Sequence, residues 1–108
     1  MVASKLTKET FLNLEEVLIS KSRIRILKAL AIGGPLDISE IKKRTRLNYR
    51  SIVNALEVLK QMRIVGEVDL NRSRNFRIKT ENLEASAVME LIKTLDDLQP
   101  DSRQNIST

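Results

Sequence analysis

The 108-residue chain is predicted to be mainly α, with one small β-hairpin and a long C-terminal helix. Three observations predict this. Apolar residues recur at helical spacing through most of the chain. The period changes to alternation only between about 64 and 80. Cap and turn residues, among them Gly33-Gly34-Pro35, Asp37 and Asn48, stand at the junctions between the periodic segments.

The elements follow in order. The first helix is expected from Thr10 to Ile19, with Phe11, Leu14 and Leu18 on one face and Val17 widening it. Ser20 caps the next helix, SKSRIRILKALAI, which turns Ile24, Leu27, Leu30 and Ala31 inward. Gly33-Gly34-Pro35 stops it, because glycine permits a left-handed cap and proline cannot continue a helix. Leu36 falls in a short extended piece. Asp37 and Glu40 then form a capping box for a short helix over 38–45, with Ile38 and Ile41 inward. Thr45-Arg46-Leu47 makes a turn, and Asn48 caps a fourth helix over about 48–62. Its buried stripe is Ile52, Leu56 and Leu59, with Ala55 allowing close approach. IVGEVDL and NFRIKT are β-favouring and NRSR between them is a turn, giving a hairpin over about 64–80. Phe76 and Ile78 alternate with Arg77 and Lys79, so one face of its second strand is apolar and the other basic. The last helix runs over about 82–98, within an 81–99 segment, and Val88, Leu91, Leu95 and Leu98 repeat along it like a coiled-coil seam. Residues 100–108 are polar and expected to fray.

Composition narrows the chemistry. The length suits one domain with a modest core, and no apolar run approaches the roughly 18 residues of a membrane span. The N-terminal stretch MVASKLTKETF has no apolar core, so no secretory signal is expected and a cytoplasmic, nucleoid-associated location is. The absence of cysteine and histidine removes disulfides, thiolate or imidazole metal sites and His-based catalysis. With no glycine-rich phosphate loop or clustered carboxylates either, neither an enzyme nor a cofactor is expected. The net charge of +5 is unevenly spread: residues 20–80 hold 15 Lys/Arg against 5 Asp/Glu, and the flanks hold 4 against 9. A basic middle suits a polyanionic partner.

The densest charge lies in the turn between the third and fourth helices, where Lys42, Lys43, Arg44, Arg46 and Arg50 fall within nine residues. A short helix, a tight turn and an amphipathic second helix with charge at the corner are the layout that sets a helix in the major groove. With Ile52, Leu56 and Leu59 inward, the outward set is Tyr49, Arg50, Val53, Asn54 and Glu57. Arg50 suits guanine O6/N7, Asn54 adenine N6/N7, and Val53 a thymine methyl. Tyr49 is placed to touch a phosphate or sugar, or to pack back onto the shorter helix. Asn48, Ser51, Lys42, Lys43 and Arg46 are candidates for the backbone, and Arg72 and Arg74 at the hairpin tip for the minor groove. The bland alternative for each is a solvated surface residue, and for the hairpin an edge kept soluble by charge.

In this order the elements resemble the winged helix-turn-helix regulators, most closely the ArsR-type subfamily in a non-metal-sensing, archaeal-like form. SKSRIRILKAL, PLDISEI and LNYRSIVNALEVL, with the hairpin after them, carry the resemblance over about 18–80. It implies a DNA-binding domain over 1–80, with a recognition helix at about 48–62, a wing at about 64–80 and an arginine-bearing tip over 71–74. The expected partners are double-stranded DNA and a second copy of the chain, joined through Val88, Leu91, Leu95 and Leu98. The chain departs from the pattern where Arg46 and Arg63 stand in place of glycine; a positive φ there would cost on the order of 1 kcal/mol. Metal-sensing members use Cys or His ligands, which this chain lacks. Three functions stay open: a sequence-specific homodimeric regulator, a chromatin-type protein without sequence choice, and a winged-helix interaction module of the transcription machinery. The sequence names no small-molecule effector.

Overall fold

A computed structural model describes residues 15–98. Phe11, Leu14 and the tail over 100–108 lie outside the described residues. Helical residues 15–18 (α1) precede α2 (Lys21–Gly33), β1 (Leu36–Asp37), α3 (Ile38–Thr45), α4 (Tyr49–Gln61), β2 (Val65–Leu70), β3 (Ser73–Ile78) and α5 (Leu83–Asp97). The caps act as their chemistry dictates. Ser20 Oγ accepts from the Arg23 N–H, Asp37 Oδ1 from Glu40 and Asn48 Oδ1 from Ser51. The second half of the expected capping box is not among the described hydrogen bonds; the Glu40 carboxylate instead lies 3.5 Å from both Lys43 and Arg44.

Helix α2 is the central strut, with α3, α4, α5 and β3 packed around it. Being covered on several sides, it buries Ile26, Leu27, Ala29 and Leu30, a wider face than one amphipathic stripe, while Ile24 and Ala31 lie at the core's edge. Helix α3 contributes Ile41, α4 contributes Ile52, Ala55, Leu56 and Leu59, and the sheet contributes Leu36, Val65, Phe76 and Ile78. From α1, Val17 is fully buried, so Val17 rather than Leu18 carries its inward face.

The sheet has three antiparallel strands in the order β1-β3-β2. The short extended piece at Leu36 is thus a strand, pairing Leu36 with Phe76 and Asp37 with Asn75. The hairpin turn is tighter than the expected NRSR: Leu70 pairs with Ser73, leaving only Asn71 and Arg72 between strands. Their φ values of 52° and 65° fit a type I′ turn, whose twist matches that of the strands and for which asparagine is a favoured residue. Arg74 therefore belongs to β3 opposite Asp69 and alternates onto the same face as Phe76 and Ile78.

Both arginines at glycine-like positions do adopt positive φ. Arg46 (φ 61°, ψ 22°) ends α3 with its N–H donated to Lys42 O at 2.8 Å, and Thr45 Oγ1 braces the turn by donating to Ile41 O and accepting from the Leu47 N–H. Arg63 (φ 62°) ends α4 in a Schellman arrangement: its N–H goes to Lys60 O and that of Ile64 to Leu59 O, with Leu59 and Ile64 both buried.

On α5 the apolar residues divide between two faces. Ala85, Val88 and Ile92 are buried toward the domain, with Val88 only 1% exposed. Leu83, Leu91, Leu95 and Leu98 face outward, the last three 37%, 43% and 69% exposed. The expected seam thus splits: Val88 is core of its own domain, because α5 rests its 85/88/92 face on the domain, and only Leu91, Leu95 and Leu98 remain available to a second chain. Lys28 of α2 ties down the far end of α5 through Asp96 at 2.9 Å.

Candidate nucleic-acid interface

Helix α4 presents its polar side as a continuous ridge. Ile52, Ala55, Leu56 and Leu59 point into the core, so Arg50, Asn54, Glu57 and Gln61 stand furthest out, and all four are exposed. Gln61 was not among the expected site residues, although helical spacing from Asn54 and Glu57 places it on that ridge. One flank of α4 faces the hairpin across a groove of about 120 Å³ lined by Tyr49, Val53, Glu57, Lys60, Arg74 and Phe76. Tyr49 is 60% exposed and borders this groove together with Ile38 at the start of α3. Val53 is half-buried on the same flank, turned away from the top of the ridge. The other flank, with Ser51, Asn54 and Val58, meets Ser20, Ser22 and Arg23 at the start of α2 across a second, polar cleft.

The cations fall into two groups. No salt bridge engages Lys42, Arg46, Arg50 or Arg72 among the described residues, and all four are exposed. Lys42, Arg46 and Arg50 cluster at the α3–α4 turn, and Arg72 stands alone at the hairpin tip. Lys43, Lys60 and Arg74 are instead partnered. Lys43 pairs with Glu40. Arg74 is held by Glu67 through Nε at 2.6 Å and Nη2 at 2.5 Å, and its guanidinium lies 5.6 Å from the centre of the Phe76 ring. Lys60 of α4 reaches the other oxygen of Glu67 at 3.1 Å. Those two hydrogen bonds, Arg74 first and Lys60 second, hold the Glu67 carboxyl below its usual range. Arg74 is thus turned toward α4, a position the four-residue turn expected from sequence did not foresee. Asn48 spends its side-chain oxygen on the α4 cap, leaving its amide N–H groups for any contact outside the domain.

Among the described residues no group of three or more Asp or Glu side chains is placed to hold a metal ion, and no helix is long and apolar enough to cross a membrane.

No protein-family profile matches the sequence, and no curated protein is similar to it. Solved structures are similar in fold. The AntR antimony-specific transcriptional repressor superposes with a TM-score of 0.70 at 22% identity, over 87% of this chain and 80% of that one. The homodimeric winged helix-turn-helix DNA-binding domain of a possible ArsR-family regulator from Mycobacterium bovis gives 0.66 at 21%, over 82% and 80%. NadR in complex with 4-hydroxyphenylacetate gives 0.68 at 18%, over 99% of this chain and 76% of that one. The chain therefore has the winged helix-turn-helix fold: α3 and α4 are its helix-turn-helix, β2 and β3 its wing, and α5 its C-terminal helix.

Proposed function

We propose that the chain is a sequence-specific DNA-binding transcriptional regulator that acts as a homodimer in the cytoplasm. Helix α4 lies in the major groove, and the hairpin tip reaches the adjacent minor groove or backbone. The observation that carries this is the exposed ridge of α4 with Arg50 and Asn54, next to Lys42 and Arg46 at the α3–α4 turn and with Arg72 at the hairpin tip, these cations being free of salt bridges among the described residues. Arg50 is suited to guanine and Asn54 to adenine, while Lys42, Lys43, Arg46, Ser51 and Arg72 supply backbone contacts. A transcriptional repressor and a DNA-binding domain that share the fold support the role, and the homodimeric state of the latter supports the assembly.

Selection of bound sequences from random duplex DNA tests it. The expected result is an enriched, two-fold related motif whose half-sites lie about one helical turn apart. Arg50→Ala and Asn54→Ala should each relax the preference at one position of the half-site. Recovery of no enriched motif would favour the chromatin-type role, and undetectable duplex binding would favour the interaction module.

A further inference from the structure

The Lys60–Glu67–Arg74 cluster sits in the groove between α4 and the wing, where it joins one cation of the reading helix to one of the hairpin. A single carboxylate bridges them, Oε2 accepting from Arg74 and Oε1 from Lys60. A phosphodiester offers the same recognition pattern: one negative charge over two acceptor oxygens on one atom. The place is also the right one. If α4 occupies the major groove and the tip the adjacent minor groove, the sugar-phosphate strand dividing those grooves must run between them. Arg74 is already aimed there, steadied by the Phe76 ring, yet its side chain remains 65% exposed.

We propose that Lys60 and Arg74 form a binding site for one DNA backbone phosphate, and that Glu67 occupies it in the free protein as an internal stand-in for that phosphate. This rests on the regulator role proposed above. On binding, a phosphate takes over the two donors and the Glu67 carboxylate is released to water. No donor is left unpaired in either state, so the exchange avoids the cost of orphaning a charge. Glu67 thereby weakens adventitious attraction to any duplex. A correctly seated operator, held through α4, delivers a phosphate to the groove at high effective concentration and displaces it.

The test is binding of a labelled non-operator duplex by fluorescence anisotropy across a salt series. Glu67→Gln, which keeps the shape and removes the charge, should bind several-fold tighter than the unmodified protein, with a steeper salt dependence. Arg74→Ala should cost little in the unmodified background and clearly more in the Glu67→Gln background. Equal or weaker binding by Glu67→Gln, with Arg74→Ala costing the same in both backgrounds, would mean that Glu67 is only a brace between helix and wing. Should Glu67→Gln fail to fold, the unmodified protein still decides: the Arg74 Nε–H resonance should shift on titration with the operator duplex recovered by selection, and a resonance that stays put while other residues respond overturns the exchange. An unmodified protein that binds no duplex overturns the regulator role, and this site with it. Duplex binding without any effect of Glu67→Gln overturns this site alone.

Discussion

At Arg46 and Arg63 the backbone holds φ values of 61° and 62°, a region that costs an L-residue about 1–2 kcal/mol. Each is fixed by its neighbours: Thr45 braces the first turn, and the burial of Leu59 and Ile64 forces the second. Glycine would relieve the strain but give up roughly 0.4–1 kcal/mol through a freer unfolded chain. The strain is the larger amount, so Arg46→Gly and Arg63→Gly should each raise unfolding stability by about 0.5 kcal/mol, read as the midpoint of chemical denaturation. Arg46→Gly should at the same time weaken binding to DNA and lower the magnitude of the log–log salt slope by about 0.9, as expected when one fewer phosphate is neutralised. Stability and binding moving in opposite directions would explain why arginine stands where the backbone favours glycine. A variant less stable than the parent would show that the side chain itself holds the turn. The cap of α4 gives a contrasting case with no compensation: Asn48→Ala should destabilise by about 1 kcal/mol.

Between elements, the joint from the wing to α5 is held by polar contacts. Arg77 and Glu81 form a two-pronged pair at 3.0 and 2.7 Å, and Asn82 Nδ2 donates to Arg63 O at 2.9 Å, linking the start of α5 to the end of α4. The Arg77 hydrogen bonds come first, followed by a backbone contribution from Glu81 itself, in pulling the Glu81 carboxyl from 4.5 to about 2. A carboxyl depressed by folding contributes stability above its ordinary pKa and loses it as pH falls toward the folded value. The pair is exposed, so its contribution is small. Glu81→Gln should slightly lower the melting temperature near neutrality and flatten the decline between about pH 4.5 and pH 2, followed by circular dichroism. An unchanged acid limb would remove Glu81 from that transition. Much of this level was legible in the sequence because it is local. Asp37 and Asn48 each cap through a bond spanning three residues, so α3 and α4 start where their side chains say they do. The side on which Arg74 falls depends on whether two or four residues form the hairpin turn. The choice between Val88 and Leu91 as core on α5 could not be read locally either, since α5 is apolar on two faces and only its packing against the domain selects one.

Across the whole molecule, the outward stripe of Leu91, Leu95 and Leu98, with Leu83 before it, is the surface through which the proposed homodimer would form. Leu91→Lys combined with Leu95→Lys should yield a folded monomer by analytical ultracentrifugation, with helical content retained because neither residue belongs to the core. The same variant should lose most of its affinity for a two-half-site duplex while keeping residual binding to a single half-site. A variant that remains dimeric would place the interface elsewhere.

The two residues of β1 have a consequence out of proportion to their length. By pairing Leu36 with Phe76 and Asp37 with Asn75 they close the chain from the start of the helix-turn-helix to the end of the hairpin into a ring. That ring has no free end inside the reading unit. Cleaving the peptide bond at Asn71-Arg72 would open the ring at its rim yet leave both halves fastened, β3 being paired with β1 on one side and with β2 on the other. The amides of α3 and β3, far apart in sequence, should then exchange with solvent as one cooperative group in the intact chain, and the nicked chain should still hold its helices in place.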